Sequence, residues 1–170
     1  MFLKNIFPLL FSLFLLGCSS TPVTQSTIGP AAAATINAKL ALAYLASGDV
    51  ERAKQKILVA QQQAPDDPVI WGATGYFEER TGDPSTARAA YQHALQLAPK
   101  SGEAHNNYGA FLCRQGEYHA AVNQFLIAVA DPQYLQVAAA YQNASKCAAK
   151  IPDPKLAAEY AQLAKARAGI

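Results

Sequence analysis

Small, large and polar positions recur along the chain every 34 residues. Gly48, Gly82 and Gly116 keep that step, as do Ala53, Ala87 and Ala121. So do Ala60, Ala94 and Ala128, and the small set Ala41, Gly75 and Gly109. Ile57, Tyr91 and Phe125 form a series of large apolar residues in the same phase. Each period therefore predicts two helices. The glycine ends the first, because it alone adopts positive φ at no steric cost. Asp49 and Asp83 follow at once and cap the second, and Pro84 sits at a first-turn position where its missing N–H costs nothing. Pro65 and Pro99 stop the second helix, and Pro132 falls one place short of the same phase. Within a pair, the small residue on the first helix and the alanines on the second allow close approach. The large residue then fills the space between pairs.

A 34-residue period with these residue types resembles the tetratricopeptide repeat, a helix-turn-helix unit. The implied fold class is all-α, a superhelical tetratricopeptide-repeat solenoid of about four units, over residues 34–67, 68–101, 102–135 and 138–170. The fourth unit is degenerate. Placing Asn143-Ala144-Ser145 on the small position sets Ala157, Ala161 and Ala164 in its second helix, after a two-residue insertion around Asp131 to Tyr134. Ile151-Pro152-Asp153-Pro154 makes its turn. Residues 155–168 form a closing amphipathic helix with Leu156, Tyr160 and Leu163 on one side.

The chain begins differently. Lys4 and the apolar run Ile6 to Leu16 have the layout of a secretory signal, too short to span a bilayer. Leu15-Leu16-Gly17-Cys18 resembles the bacterial lipobox. That resemblance implies removal of residues 1–17 and acylation of Cys18, and several acyl chains give a stable anchor. Ser19, in place of an inner-membrane retention aspartate, implies the outer membrane, facing the periplasm of a Gram-negative bacterium. Residues 18–33 are read as the lipidated cysteine and a flexible tether, polar and Pro/Gly-containing at first.

Composition fits packed helices. Of 170 residues 35 are alanine, hydrophobic residues make up 51% and charged residues 15%. A net charge of +2 gives no strong field toward nucleic acid. His93, His105 and His119 are scattered singly, with no H-E-x-x-H, C-x-x-C, P-loop or G-x-S-x-G spacing. The expectation is a non-enzymatic protein with no catalytic residues, cofactor, metal or small-molecule substrate.

Stacked helix pairs make binding surfaces, and the first helices line the concave groove of such a stack. The repeat positions that face it hold Tyr76, Glu79 and Arg80 in the second unit. In the third they hold Glu103, Asn106, Asn107 and Arg114, and in the fourth Gln142, Asn143, Lys146 and Lys150. Asparagines there suit an extended peptide backbone, and the cations a carboxylate. Cys113 and Cys147, on first helices of adjacent units, fit either a disulfide or two buried thiols.

The run from Asn106 to Gly116, Asn-Asn-Tyr-Gly-Ala-Phe-Leu-Cys-Arg-Gln-Gly, resembles the N-N-Y-G-x-F-L-C-x-x-G run of the PilF/PilW family of type IV pilus biogenesis lipoproteins. Gln124-Phe125 with Ala130 to Tyr134 is similar to that family's Q-F…A-x-x-P-x-Y stretch. Asn143-Ala144-Ser145-Lys146-Cys147 is similar to its N-A-G-x-C, with Ser145 in place of glycine. The resemblance implies a pilotin, which helps a type IV pilus secretin subunit reach the outer membrane and form its multimeric pore, or a pilus-stabilising role. It also implies that Cys113 and Cys147 pair. A general scaffold for other envelope proteins is the alternative function.

Overall fold

The computed structural model describes residues 29–169. Among them are eight helices and no strand: α1 (Pro30–Ala46), α2 (Val50–Gln63), α3 (Pro68–Thr81), α4 (Pro84–Leu97), α5 (Gly102–Arg114), α6 (Tyr118–Ala130), α7 (Val137–Ala148) and α8 (Pro154–Ala168). They pair in chain order, α1 with α2 through α7 with α8. Each pair meets the next through its second helix, and the first helices also touch: α1 on α3, α3 on α5, α5 on α7. This is the expected solenoid of four units. The expected signal segment, Cys18 and most of the expected tether fall in residues 1–28, outside the described residues. The tether is shorter than read from the sequence, because α1 already starts at Pro30. Proline is preset for a first helical position, and Ala31 to Ala34 are the strongest helix formers, so the helix extends through them.

The helix ends follow the glycine phase. Gly82 closes α3 with φ 93°, a left-handed conformation that residues with a Cβ rarely adopt. Asp83 then caps α4, accepting a hydrogen bond from the Thr86 N–H at 2.9 Å. That bond, helped by the Thr86 and Ser85 hydroxyls, lowers the Asp83 carboxyl to about 2. Asp49 repeats the cap on α2, accepting from the Arg52 N–H at 3.0 Å. In the third unit Glu117 takes the cap position and makes no such bond.

Between the helices of a pair, contact depends on missing atoms. A Cβ added at Gly75 would lie 2.9 Å from the Tyr91 ring. One at Gly109 would lie 2.9 Å from the Phe125 ring and 3.1 Å from the Ala121 carbonyl oxygen. Ala41 stands at the equivalent place in the first unit and is fully buried beside Ile57. Ser145 stands there in the fourth, where its hydroxyl donates to the Ala157 carbonyl at 2.8 Å. The rings seated on these small residues also reach the next unit. Tyr91 packs on Phe111 of α5 with ring centroids 5.2 Å apart, and Phe125 shares a cluster with Ala144 and Cys147 of α7. Burying such a side chain stabilises by about 1.5–3 kcal/mol, against about 0.8 kcal/mol for one methylene-sized group. The alanines thus matter more for the approach they permit than for the area they bury.

Two further devices tie down the later units. The α6–α7 connection carries the two extra residues. Its Asp131 accepts from the Gly102 N–H at 2.8 Å and so caps α5 from outside that helix. Tyr134 packs against Gly102, where an added Cβ would come within 2.5 Å of the tyrosine Cβ. Cys113 and Cys147 are disulfide-bonded, with Cα atoms 5.8 Å apart, and link α5 to α7. The closing helix packs Leu156, Tyr160 and Leu163 onto the same core.

Two glycines inside helices, Gly72 of α3 and Gly109 of α5, should respond oppositely to alanine. An added Cβ at Gly72 meets only the Asn107 side chain at 3.7 Å, so Gly72→Ala should stabilise by up to about 1 kcal/mol through helix propensity. Gly109→Ala has the same propensity gain but displaces Phe125, and overpacking of about 1–3 kcal/mol should make it destabilising. Urea midpoints moving in the same direction for both variants would contradict the close-approach account. Replacing Cys113 and Cys147 together by alanine removes a cross-link of sequence separation 34. The chain-entropy model puts its contribution at about 3–4 kcal/mol. Amide exchange should speed up chiefly in α7 and α8; equal acceleration in α1 and α2 would show that the bond acts on the whole stack.

Candidate functional site

Of the eleven predicted groove residues, four are already bonded to each other across the units. The Arg114 guanidinium forks onto Glu79, with Nη2 donating to Oε2 at 2.7 Å. The Tyr91 hydroxyl, reaching in from α4, donates to the same Oε2 at 3.3 Å. Glu79 therefore joins α3, α4 and α5. Its side chain is only 9% exposed, while that of Arg114 is half exposed. The hydrogen bond to Glu79 raises the Arg114 pKa, and burial together with the Glu79 charge pushes the Tyr91 phenol up. A planar two-bond contact is the strong form of such a pair. Removing Arg114 would leave a nearly buried carboxylate without its cation, which costs more than the pair itself contributes.

Between α5 and α7 the same thing happens with neutral groups. The Asn143 amide donates to the Asn106 side-chain oxygen at 3.1 Å. Glu79, Arg114, Asn106 and Asn143 are thus staples between units. The residues that make no side-chain hydrogen bond or ion pair among the described residues are Tyr76, Arg80, Asn107, Gln142 and Lys146, with Glu103 and Lys150. Asn107 is half-buried and the others are exposed. Tyr76 and Arg80 stand on α3, and Gln142, Lys146 and Lys150 run down and just past α7. The free groups are therefore Tyr76 with Arg80 on α3, Glu103 with Asn107 on α5, and Gln142 with Lys146 and Lys150 at α7. A crevice of about 20 Å³ lies between α3 and α5, bordered by Val69, Gly72, Glu103 and Asn107.

The second helices contribute one more inter-unit group that the sequence did not single out. Arg88 of α4 pairs with Glu117 at 2.5 Å and lies over the Phe111 ring, 5.2 Å from its centroid. Gln92 donates to the Tyr108 hydroxyl at 3.2 Å. The histidines have separate structural surroundings. His93 stands edge-on to Trp71 with ring centroids 4.4 Å apart. His105 is buried, with one ring nitrogen 2.6 Å from Gln124 Oε1 and the other 3.0 Å from the Pro99 carbonyl. His119 is exposed. Among the described residues no cluster of three metal-ligating side chains occurs, and no helix is long and apolar enough to cross a membrane.

Sequence reasoning missed one concavity. An open cleft of about 1010 Å³ lies between the α4–α5 and α6–α7 connections. Pro99, Ile127, Pro132, Tyr134 and Leu135 line it. Leu135 is 95% exposed. The only signal for it in the sequence was the two-residue insertion.

Comparison with known proteins gives the following matches. A tetratricopeptide-repeat family model matches residues 90–123. An uncharacterised protein of Haemophilus influenzae is 32% identical over 143 residues, 84% of this chain and 76% of that protein. Among solved structures, PilF of Pseudomonas aeruginosa matches with a TM-score of 0.73 and 26% identity over 79% of this chain. PilW, described as a widely conserved type IV pilus biogenesis factor, matches with a TM-score of 0.72 and 29% identity over 78%. The chain spans 61% of the length of each of those two structures. It belongs to the tetratricopeptide-repeat proteins, in one family with the Haemophilus influenzae protein and with the fold of the type IV pilus biogenesis proteins PilF and PilW.

Proposed function

We propose that this chain is an outer-membrane lipoprotein, anchored through Cys18, that acts as a pilotin in type IV pilus biogenesis. It binds the secretin subunit and promotes its localisation and multimerisation, without catalysing a reaction. The observation that carries this reading is the likeness to PilF and PilW over nearly four-fifths of the chain. The lipobox-like Leu15-Leu16-Gly17-Cys18 ahead of the solenoid agrees with it. Within the domain the partner surface is the unoccupied part of the first-helix face: Tyr76 and Arg80 at one end, Gln142 and Lys146 at the other. Tyrosine and arginine are among the residue types enriched in binding hot spots. The staples Glu79–Arg114 and Asn106–Asn143 hold that face rigid and so lower the ordering cost of binding.

Deleting the gene should deplete heat-resistant secretin multimers, and the wild-type gene should restore them. Cys18→Ser should be expressed yet fail to restore them, because the acyl anchor is lost. Tyr76→Ala with Arg80→Glu should retain the fold by circular dichroism and lose the secretin in a pull-down. Normal multimers in the deletion strain would refute the pilotin role. A pull-down that returns cell-wall enzymes and no secretin would establish the general scaffold instead.

A further inference from the structure

We infer that the cleft beside Leu135 continues the first-helix face, and that the two take one extended partner segment in a fixed direction. Its basic and apolar end lies in the cleft, and its acidic end lies among Arg80, Lys146 and Lys150. The inference rests on the proposed function in one respect, that the partner is the secretin subunit. Ser101 and Glu103 border both the cleft and the small crevice between α3 and α5. The start of α5 is therefore a sill, over which a chain can pass from Val69 and Asn107 to Tyr134 and Leu135 without leaving the surface. The cleft presents apolar side chains on a fixed frame. Ile127 is 37% and Leu135 95% exposed, with Pro99 and Tyr134 beside them. Asp131 holds the loop that carries Leu135, accepting from the Gly102 and Gln133 N–H groups at 2.8 and 2.9 Å. The Tyr134 N–H donates to the Asp131 carbonyl at 3.1 Å. An apolar side chain held out on a pinned loop costs little ordering when a partner covers it. At about 1010 Å³ and open to solvent, the cleft exceeds a small-ligand pocket of about 300–1,000 Å³ and suits a chain that enters and leaves.

Charge sets the direction. The late positions of α3, α5 and α7 lie side by side, because Arg114 bonds Glu79 and Cys113 is joined to Cys147. The three first helices are therefore parallel. Acids suit helix starts and cations suit helix ends, and in parallel helices those preferences add instead of cancelling. At the late edge Arg80, Lys146 and Lys150 make no ion pair among the described residues, and Glu79 is taken by Arg114. At the early edge the cleft and its sill carry Glu103 and Asp131 against Lys100. The N–H bonds from Gly102 and Gln133 lower the Asp131 carboxyl, so it stays charged. Glu103 is exposed and makes no ion pair. Burial and then the Glu103 charge push the Tyr134 phenol up, so that charge reaches into the cleft. A segment with Lys or Arg beside a large apolar residue at one end, and Asp or Glu at the other, matches both edges. The reversed segment meets like charge at both. From Glu103 to Arg114 is 11 residues of α5, about 16 Å, which an extended chain covers in about five residues.

The test is photo-cross-linking in cells with the full chain, in two versions, Gln133→p-benzoylphenylalanine in the cleft and Ala149→p-benzoylphenylalanine between Lys146 and Lys150. Both positions are exposed, so neither substitution enters the core. The cross-linked secretin is digested and the attachment sites are read by mass spectrometry. The expected result is that both versions label one stretch of the secretin, at sites roughly five to eight residues apart. The Gln133 site should lie beside Lys or Arg and a large apolar residue, and the Ala149 site beside Asp or Glu. A synthetic peptide of that stretch should bind Glu103→Lys about three- to tenfold more weakly than the wild type. Changing the peptide's basic residue to Glu should restore its binding to Glu103→Lys, which a local structural defect would not allow. Label from Ala149 alone would overturn the role of the cleft and leave the pilotin reading standing. Sites of the opposite polarity would overturn the direction. No secretin label from either position would overturn the inference as a whole. The secretin multimers of the deletion strain, which neither substitution touches, then show whether the pilotin reading falls with it.

Discussion

The distance between paired helices is set by what is absent from the first helix of each pair. Gly75 lies under the Tyr91 ring and Gly109 under the Phe125 ring, both close enough that a methyl group would have to move the ring. Because each ring sits that low, its far side reaches the first helix of the next unit. Tyr91 reaches Phe111, and Phe125 reaches Ala144 and Cys147. One close approach therefore fixes two contacts, within a unit and between units. A stack bound only to its neighbours gains cooperativity in this way, since no unit can bury its rings alone. Ser145 relaxes the rule in the fourth unit. Its hydroxyl bonds the Ala157 carbonyl, the counterpart of the Ala121 carbonyl that an added methyl at Gly109 would crowd. The large wedge is missing there, with Ala161 in its phase, and the disulfide together with Tyr160 takes over.

The packing is uneven along the stack as a result. A single cluster runs from Ala87 to Tyr160 and contains four aromatic rings of α4 to α6, with Tyr160 of α8. The first unit joins the second through two small clusters built on alanines, Ile57, Ile70 and Phe77. Nearly all the inter-unit polar staples also lie in the later units, Glu79–Arg114, Arg88–Glu117 and Asn106–Asn143, and within the third unit Asp131 ties down the start of α5. In a quasi-one-dimensional fold, stability is a sum of such local terms, so opening should begin at α1 and α2.

Most of this fold was legible because its constraints are short-range and periodic. A glycine that must be left-handed, an aspartate that must cap and a small residue that must face a ring each fix a residue type at a fixed place, and three repetitions make the phase visible. The start of α1 was misplaced because the repeat boundary was taken from the period, while helix propensity carried Ala31 to Ala34 into the helix. The groove was legible only as a face. Phase puts Glu79, Arg114, Asn106 and Asn143 on the same side, but which charged or amide groups satisfy one another depends on distances between units, and no spacing rule encodes those. Glu103, Asn106, Asn107 and Arg114 looked alike in the sequence; the structure uses two of them as staples and leaves two free. The cleft beside Leu135 was hidden for the opposite reason. It belongs to the one connection that breaks the period, and a pattern read from regularity says least where regularity fails.

The division between staples and free residues also bears on how the protein recognises a partner. Binding energy is diminished by whatever must be ordered or desolvated on contact. Glu79 would be an expensive group to expose or re-pair, because a nearly buried carboxylate already holding Arg114 and Tyr91 has no better partner to gain. A ligand that inserted an acid against Arg114 would compete with an existing two-bond contact for little net gain. Tyr76, Arg80, Gln142 and Lys146 have no such prior contact among the described residues, so bonds made to them replace only water. On the proposed reading, selection of a partner would fall mainly to α3 and α7, with α5, stapled through Asn106 and Arg114, holding them at a fixed separation. That arrangement suits a partner segment that bridges three first helices better than one anchored at a single point. It also explains why the run from Asn106 to Gly116, the most family-like stretch of the sequence, supplies mostly framework and few free side chains.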